Sequence, residues 1–572
     1  MRARPPAANA TTGSRLPGDP RVLWPAPGAP ALLSAGGRQI ELLVVEQQGS
    51  AEAVRRWATD LRLVPVGEGL SVPLSVDLIE QAPASWARRH AASVLQIAET
   101  AGATRWRVTL RARRALAPAP PRRVRVFDLV RGGSVVRSRS IACHRTLNDR
   151  LRIAFASDLH VAAVWDTLAE IVARHAPDLL SCFLHPHENV ARLVQALNSL
   201  ASSGDVDAAV LGGDLVDHVI PSPRAQASPG ASGSNVELLV DLLAALRVPT
   251  FAVAGNHDYR VYPWRPGAYG LEEVGISAQR REALLRAAGL ATRTRFRLSD
   301  LDALRTTGSD GQTGLSRHLL FLAPRTDFCV RFGSVDLIFV TTGRDLVPRW
   351  RSLELARLPL LLRNIRPTWL CPDLDGLQEN QIEWLERRLL AAESDGQGAA
   401  IFQHAPLLHP PEHGGVEAYL DRIPAPVAAS LRERVAFERC LHRSGLRHGV
   451  FFRNPALLVS ALRRSNTAVS LFSGHVHRGH VILYDRDSGH VRSSSLGPLC
   501  VGRAHVPLVT APSLGQTDVR QIEDPGFFVA TFSGGRLTQL ERHRVARAPL
   551  AAQRSLATPY SRLERPLRDS SS

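Results

Sequence analysis

The sequence predicts an α/β fold, a layered sheet with helices on its faces, preceded by a small all-β domain. Two patterns predict this division. From about residue 148 onward, short apolar runs end in polar residues and alternate with helical patterns, which is typical of layered α/β proteins. Between residues 36 and 147, apolar and polar residues alternate with a period of two, which is typical of strands with one buried face.

The N-terminal part contains a predicted tail and a predicted β-domain. Residues 1–35 are rich in Pro, Gly and Ala and show no period, so we predict a flexible tail. A helical pattern lies near residues 86–101, and strand-like runs lie at residues 40–45, 106–112, 123–129 and 135–141. We interpret residues 36–147 as an accessory immunoglobulin-like sandwich that carries no visible chemistry.

Residues 148–545 form the predicted α/β domain. Its helical patterns lie at residues 167–175, 190–200, 236–246 and 381–392. Its strand-like runs lie at residues 153–157, 208–211, 250–254, 335–341, 399–402 and 468–472. Three long insertions are expected to shape substrate access, at residues 221–235, 259–330 and 410–465. Residues 546–572 are expected to be a disordered tail.

The charge of the chain is strongly positive, with a formal net charge of +17 and no lysine. A nucleic-acid surface is one explanation, and a composition that replaces lysine by arginine is the other. The arginines are mostly scattered, which is typical of a solvated surface. A small-molecule substrate is therefore favoured over nucleic acid, which stays the alternative partner.

Cysteine spacing and hydropathy limit the remaining classes. The six cysteines lie far apart and form no C-x-x-C pair, so neither a disulfide framework nor a zinc knuckle is predicted. The N-terminus lacks the apolar segment of a secretory signal. No window approaches the ~18 continuous apolar residues of a membrane helix. We therefore predict a cytoplasmic protein without a membrane span, of undetermined oligomeric state.

Five motifs rich in Asp, Asn and His each follow an apolar strand-like run. Carboxylate and amide oxygens combined with imidazole nitrogens suit divalent Mn, Fe, Zn, Co or Ni. Two such ions ~3.5–4 Å apart can share a carboxylate and a hydroxide that attacks phosphorus in line. Each motif alone could be a turn, but five in order at strand ends indicate one site. The motifs are SDLH (157–160), GGDLVD (212–217), GNHD (255–258), QHAP (403–406) and GHVH (474–477).

This motif set resembles the signatures of the calcineurin-like metallophosphoesterase superfamily, over about residues 150–540. The resemblance implies a two-sheet α/β/α sandwich. It also implies a hydrolase of phosphodiesters or phosphomonoesters that uses two divalent metal ions, Mn, Fe, Zn or Ni. The implied ligands are Asp158, His160 and His477 for one ion, Asn256, His404 and His475 for the other, and Asp214 as a bridge between them.

Two further roles are implied by the resemblance. His257 would contact the phosphate and act as an acid toward the leaving group, and Asp258 would orient His257. The stretch Gly376-Leu377-Gln378 to Trp384-Leu385 resembles a helix of the family and is expected to be structural.

The sequence also departs from the family pattern. His218 stands where many members have Arg. Asp217 and His160 stand where purple acid phosphatases have Tyr and Gly, which argues against an Fe(III)–tyrosinate site. Gln403 stands where a second His is common, and we expect it to tune the site.

Some questions remain open from the sequence. His218 and His480 lie beside motifs and are candidates for substrate contact, whereas His185, His187, His409 and His413 have no assigned role. The alternative function is a non-catalytic metal-binding scaffold for protein interaction. All seven ligand positions are filled, which favours the enzyme.

Overall fold

The computed structural model describes residues 20–82, 103–166, 185–219, 234–259, 314–342, 375–408, 451–515 and 525–545, apart from a few positions inside these ranges. Several predictions fall outside the described residues. These are the helices at 86–101 and 167–175, the tail at 546–572, and most of the insertions at 221–235, 259–330 and 410–465.

The N-terminal region is an eight-stranded sheet with one helix. The strand order is β1-β3-β6-β5-β4-β7-β8-β2, and all pairs except β2–β8 are antiparallel. The elements are β1 (Arg21–Trp24), β2 (Ala31–Ser34), β3 (Gln39–Glu46), α1 (Ala51–Ala58), β4 (Leu61–Pro65), β5 (Val72–Gln81), β6 (Thr104–Ala112), β7 (Val124–Arg131) and β8 (Ser134–His144).

Two features of this region differ from the prediction. The flexible tail predicted for residues 1–35 is wrong for residues 20–35, because β1 and β2 pair with β3 and β8 and bury Val22 and Leu23. Composition alone concealed these short apolar runs among Pro, Gly and Ala. Helix α1 was also missed; its N-cap is Ser50, whose hydroxyl accepts from the Ala53 amide. The immunoglobulin-like topology and the domain boundaries stay predictions.

The remaining elements form an α/β unit with two larger sheets. They are β9 (Leu151–Ala156), α2 (Pro186–Ser203), β10 (Ala208–Leu211), α3 (Asn235–Leu242), β11 (Thr250–Ala252), α4 (Gly314–Phe321), β12 (Phe328–Phe332), β13 (Val335–Phe339), β14 (Asp375–Gly376), α5 (Glu379–Ser394), β15 (Gly398–Phe402), β16 (Phe451–Arg453), α6 (Pro455–Arg464), β17 (Val469–Ser473), β18 (His480–Asp485), β19 (Val491–Ser494), β20 (Gly497–Pro498), β21 (His505–Thr510), β22 (Gly526–Ser533) and β23 (Arg536–Arg544).

The two sheets pack face to face with helices outside. One sheet has the order β11-β10-β9-β22-β23-β20, and the other β12-β13-β15-β17-β21-β18-β19. Side chains alternate along each strand: Phe155 and Phe402 point into the core between the sheets, whereas Ala154 and Ile401 face helices. Helices α2 and α3 cover the first sheet, and α5 and α6 cover the second. The predicted α/β class is confirmed.

The predicted core strands and helices agree with the structure to within a few residues. Strand β10 has the predicted bounds. Strand β15 begins one residue before its predicted range of 399–402. Helix α5 begins in the stretch that resembles a helix of the family, and its contacts are structural. The buried side-chain amide of Gln381 donates to Asp327 Oδ1 at 2.8 Å and to the Thr341 carbonyl at 3.1 Å. Within the described residues, no helix combines the length and the apolar character needed to cross a bilayer.

Candidate metal centre

The five motifs meet because their strands end at the same edges. Strands β9, β10 and β11 are parallel and in register, with Ala156 opposite Leu211 and Leu211 opposite Ala252. Strands β15 and β17 are parallel as well, with Phe402 opposite Phe472. Each motif begins within three residues of the carboxyl end of one of these strands, where parallel sheets place their sites.

One group of potential ligands joins the first and last motifs. The group contains one potential ligand atom from each of three residues, Asp158, His160 and His477. These three atoms all lie within 4.8 Å of one another. The Nε2 atoms of His160 and His477 are 3.3 Å apart, and His477 Nε2 lies 3.4 Å from Asp158 Oδ1. The His475 amide donates to Asp158 and holds its carboxylate in place. These are the three residues that the family resemblance assigned to one ion.

A second group joins the middle motifs. Asn256 Oδ1 lies 3.0 Å from His404 Nε2 and 3.0 Å from His475 Nδ1, and these two nitrogens are 3.1 Å apart. The Gly212 carbonyl accepts from His404 Nδ1 at 2.9 Å, which leaves Nε2 as the atom facing the group. These are the residues assigned to the other ion.

Asp214 lies between the two groups. Its Oδ2 atom is 3.2 Å from His404 Nε2 and 4.0 Å from His160 Nε2. Its Oδ1 atom accepts from the His257 amide at 2.8 Å. The carboxylate is therefore placed where a bridging ligand would be, and 1% of the residue is exposed.

The backbone at the site is strained. Seven non-glycine residues among those described have positive φ, and five of them are predicted ligands. Such angles are uncommon for residues with a Cβ and persist where surrounding structure enforces them. The five ligands are Asp158 (φ 56°), His160 (49°), Asp214 (49°), His475 (71°) and His477 (58°).

The environment of His257 corrects one prediction. The carboxylate of Asp258, expected to orient His257, accepts instead from the backbone amides of Leu215, Val216 and Gly255. It therefore fastens the GNHD loop to the GGDLVD loop. His257 Nδ1 lies 3.0 Å from both the Oδ1 atom and the carbonyl oxygen of Asp217, while its Nε2 lies 3.9 Å from Asp214 Oδ2.

Asp217 has contacts in the site that the sequence analysis did not predict. Besides His257, its carboxylate lies 3.6 Å from His160 Nδ1 and 3.3 Å from His218 Nδ1. It therefore orients three imidazoles at once. Its place in GGDLVD was visible in the sequence, but only the fold shows that it contacts the histidines of other motifs.

Burial opposes ionisation of the site carboxylates, and the histidines decide the outcome for three of them. Burial would raise the pKa of Asp158, but the hydrogen bond with His477 and nearby imidazoles lower it to about 2. The pKa of Asp214 and that of Asp217 are likewise held well below the usual value against burial, chiefly by His404 and by His160 respectively. Burial and the charge of Asp214 raise the pKa of Asp258 to about 7.

The other singled-out residues have structural contacts. Gln403 is fully buried, and its amide donates to the Ala405 carbonyl at 2.7 Å, which fixes the QHAP turn. His218 is 1% exposed, so its contact is Asp217 and not a substrate in solution. His480 lies on β18, where its Nδ1 is 3.2 Å from the Arg478 carbonyl oxygen.

The described side chains fit a pair of divalent ions. Both groups combine imidazole nitrogen with carboxylate or amide oxygen, which is the set expected for Mn, Fe, Zn or Ni. No cysteine belongs to either group of described residues. Asp214 Oδ2 is within reach of both groups.

The comparison with protein families agrees with this geometry. Residues 151–322 match the family model of the calcineurin-like phosphoesterases. The predicted family resemblance is confirmed. The matched segment contains the first three of the five motifs, and the structure brings the last two motifs to them. No curated protein gives a significant match to the chain.

Solved structures similar to the chain include a dimetal phosphatase and a metallophosphoesterase. "Structure of PhoD" covers 96% of this chain and 99% of that chain at 10% identity, with a TM-score of 0.37. A dimetal phosphatase from Danio rerio covers 69% and 99% at 13% identity, with a TM-score of 0.30. A metallophosphoesterase from Sphaerobacter thermophilus covers 73% and 97% at 14% identity, with a TM-score of 0.23.

Proposed function

We propose that the chain is a dinuclear metal-dependent phosphoesterase that hydrolyses a phosphodiester or phosphomonoester. The observation that carries the proposal is the placement of Asp214 between two converging ligand groups. A pair of divalent ions bound there would supply a hydroxide nucleophile and would neutralise charge on the phosphoryl oxygens. Asp158, His160 and His477 would hold one ion, and Asn256, His404 and His475 the other.

Four further roles belong to residues around the two ligand groups. Asp214 would place a buried negative charge between the ions. The side chain of His257 is 19% exposed, and its Nε2 atom, 3.9 Å from Asp214 Oδ2, would donate a proton to the leaving oxygen. Asp217 accepts at His257 Nδ1, which orients the ring and keeps Nε2 directed toward Asp214. Asp258 is a positioning residue that holds two ligand loops together.

The substrate is proposed to be a small phosphate ester. The arginines are mostly scattered along the chain, although residues 105–125 are dense in them, so a small substrate is favoured over nucleic acid. A cytoplasmic location is part of the same proposal. Both monoesters and diesters are compatible with the donor set.

The test is metal-dependent hydrolysis of an aryl phosphodiester and an aryl phosphomonoester, measured side by side. The full chain is stripped with a chelator and then given Mn, Fe, Zn, Ni or Mg in turn. We expect turnover to return with at least one metal, and the preferred ester identifies the substrate class. An Asp214→Asn variant purified in parallel controls for contaminating phosphatases.

The outcomes separate the enzyme from the alternative scaffold. Turnover in the wild type and none in Asp214→Asn supports the enzyme. A folded wild type that binds metal but hydrolyses neither ester with any metal would contradict the proposal and favour a non-catalytic metal-binding scaffold.

A further inference from the structure

A second cluster of potential metal ligands lies outside the five motifs. Ligand atoms of Asp166, His185 and His187 lie within 4.8 Å of one another. His185 Nε2 is 3.0 Å and His187 Nδ1 is 3.3 Å from the same oxygen, Asp166 Oδ1. Neither the sequence motifs nor the family resemblance assigns a role to these residues.

The backbone around the cluster is fixed from two sides. His185 is the N-cap of helix α2 and His187 is its second residue, with Pro186 between them at the first helical position. Asp166 follows Trp165, whose buried indole Nε1 donates to the His160 carbonyl at 2.9 Å. A helix start and a ligand-bearing loop thus hold the three side chains together.

The first turn of helix α2 is also tied to the dinuclear centre. The side-chain amide of Asn189 donates to the Leu514 carbonyl at 2.9 Å, and the backbone amide of Gly515 donates to the Asp158 carbonyl at 2.8 Å. The cluster is therefore held next to the loops of the centre, although it shares no side chain with it.

We propose that Asp166, His185 and His187 form a third divalent-metal site, suited to Zn²⁺. Zn²⁺ bound tetrahedrally at 2.0–2.1 Å separates its ligand atoms by about 3.3 Å. The two separations at Asp166 Oδ1 are close to this value. Two imidazoles with one carboxylate are a known three-residue Zn²⁺ ligand set, and a water or substrate oxygen fills the fourth position.

Burial supports a site that opens on one side. His185 and His187 are 9% and 6% exposed, whereas the side chain of Asp166 is 50% exposed. The two imidazoles are thus buried, and the carboxylate is half exposed to solvent. An ion here would be reached from the surface and would keep a solvent-facing coordination position.

The experiment compares Zn²⁺ content in the full-length wild type and in Asp166→Asn, His185→Gln and His187→Gln. Proteins saturated with Zn²⁺ and desalted are analysed by inductively coupled plasma mass spectrometry. We expect each variant to hold one equivalent fewer per chain than the wild type. Asp166→Asn is the main variant, because its half-exposed side chain can change without disturbing packing.

His505→Gln is the matched control. His505 Nε2 lies 3.6 Å from Asp485 Oδ2, and among the described residues this pair belongs to no group of three potential metal ligands. Its Zn²⁺ content should equal that of the wild type. Equal content in Asp166→Asn and the wild type would overturn the third site and would show that the cluster is only a hydrogen-bonded one.

Anomalous diffraction at the zinc edge provides a direct readout. A peak between Asp166, His185 and His187 supports the site, and crystals with no peak there overturn it. Neither readout depends on catalysis, so the third site and the proposed hydrolase can fail separately.

Discussion

Gly213 is a glycine whose replacement should harm the proposed active site directly. It has φ +94° and follows Gly212 in the GGDLVD loop. A Cβ at this position would lie 2.5 Å from His404 Nδ1, 2.7 Å from His404 Cγ and 2.9 Å from Gly255 Cα. The Gly213→Ala variant therefore forces a methyl group against a predicted metal ligand.

Two costs arise in this variant. A residue with a Cβ in the left-handed region costs roughly 1–2 kcal/mol. To regain an ordinary contact, the His404 ring must also move by about 0.9 Å. That shift disturbs the 3.2 Å separation between His404 Nε2 and Asp214 Oδ2. A displacement of about 1 Å at a reacting centre can cost ~10²-fold in rate, so we expect kcat/KM to fall by about that factor.

The assay is kcat/KM for the aryl ester that the wild type prefers, with saturating metal, together with thermal unfolding. Gly133→Ala is the matched control, because Gly133 has φ +84° and its Cβ would meet nothing within 4 Å. Both variants should lose roughly 1–2 kcal/mol of stability from backbone strain, but only Gly213→Ala should lose activity. Activity within twofold of the wild type in a folded Gly213→Ala would refute the reasoning.

Three further predictions test other parts of the site and the core. His257→Ala should lower kcat by ~10²–10⁴-fold on alkyl esters and far less on activated aryl esters, because an acid matters most for a poor leaving group; equal losses on both would show that His257 only binds. Asp217→Asn should weaken metal affinity by ~10–100-fold, measured by metal titration, because the carboxylate orients the His160 and His257 rings; unchanged affinity would contradict that role. Phe402→Ala should destabilise the chain by ~3–5 kcal/mol in denaturant unfolding, because Phe402 stacks on Phe339 and Phe472 at 5.3 and 4.9 Å. Leu390→Ala, at a residue 59% exposed, is its control and should change stability by less than ~0.5 kcal/mol.

Local pattern predicted the elements with strong periodicity and missed those without it. Runs such as residues 208–211 are apolar throughout and bounded by turns, so strand β10 was predicted without error. Strands β1 and β2 are four residues each and lie among Pro, Gly and Ala, so composition concealed them. They are strands because β3 and β8 offer free edges to pair with, which is a property of the tertiary structure.

The sequence by itself predicted the kind of site: the residue types of the five motifs, their order and their place at strand ends predict a site for divalent ions, and the family resemblance adds the phosphate ester. Only the tertiary structure decided which side chains face each other. Asp258 binds loop amides and Asp217 binds His257, although Asp258 is next to His257 in sequence and Asp217 is 40 residues away from it. Asp166 meets His185 and His187 across a gap of about twenty residues. The residue types of the motifs determine which ligand atoms are present. Their hydrogen-bond partners depend on the directions of the loops, which are fixed only when the sheets pack.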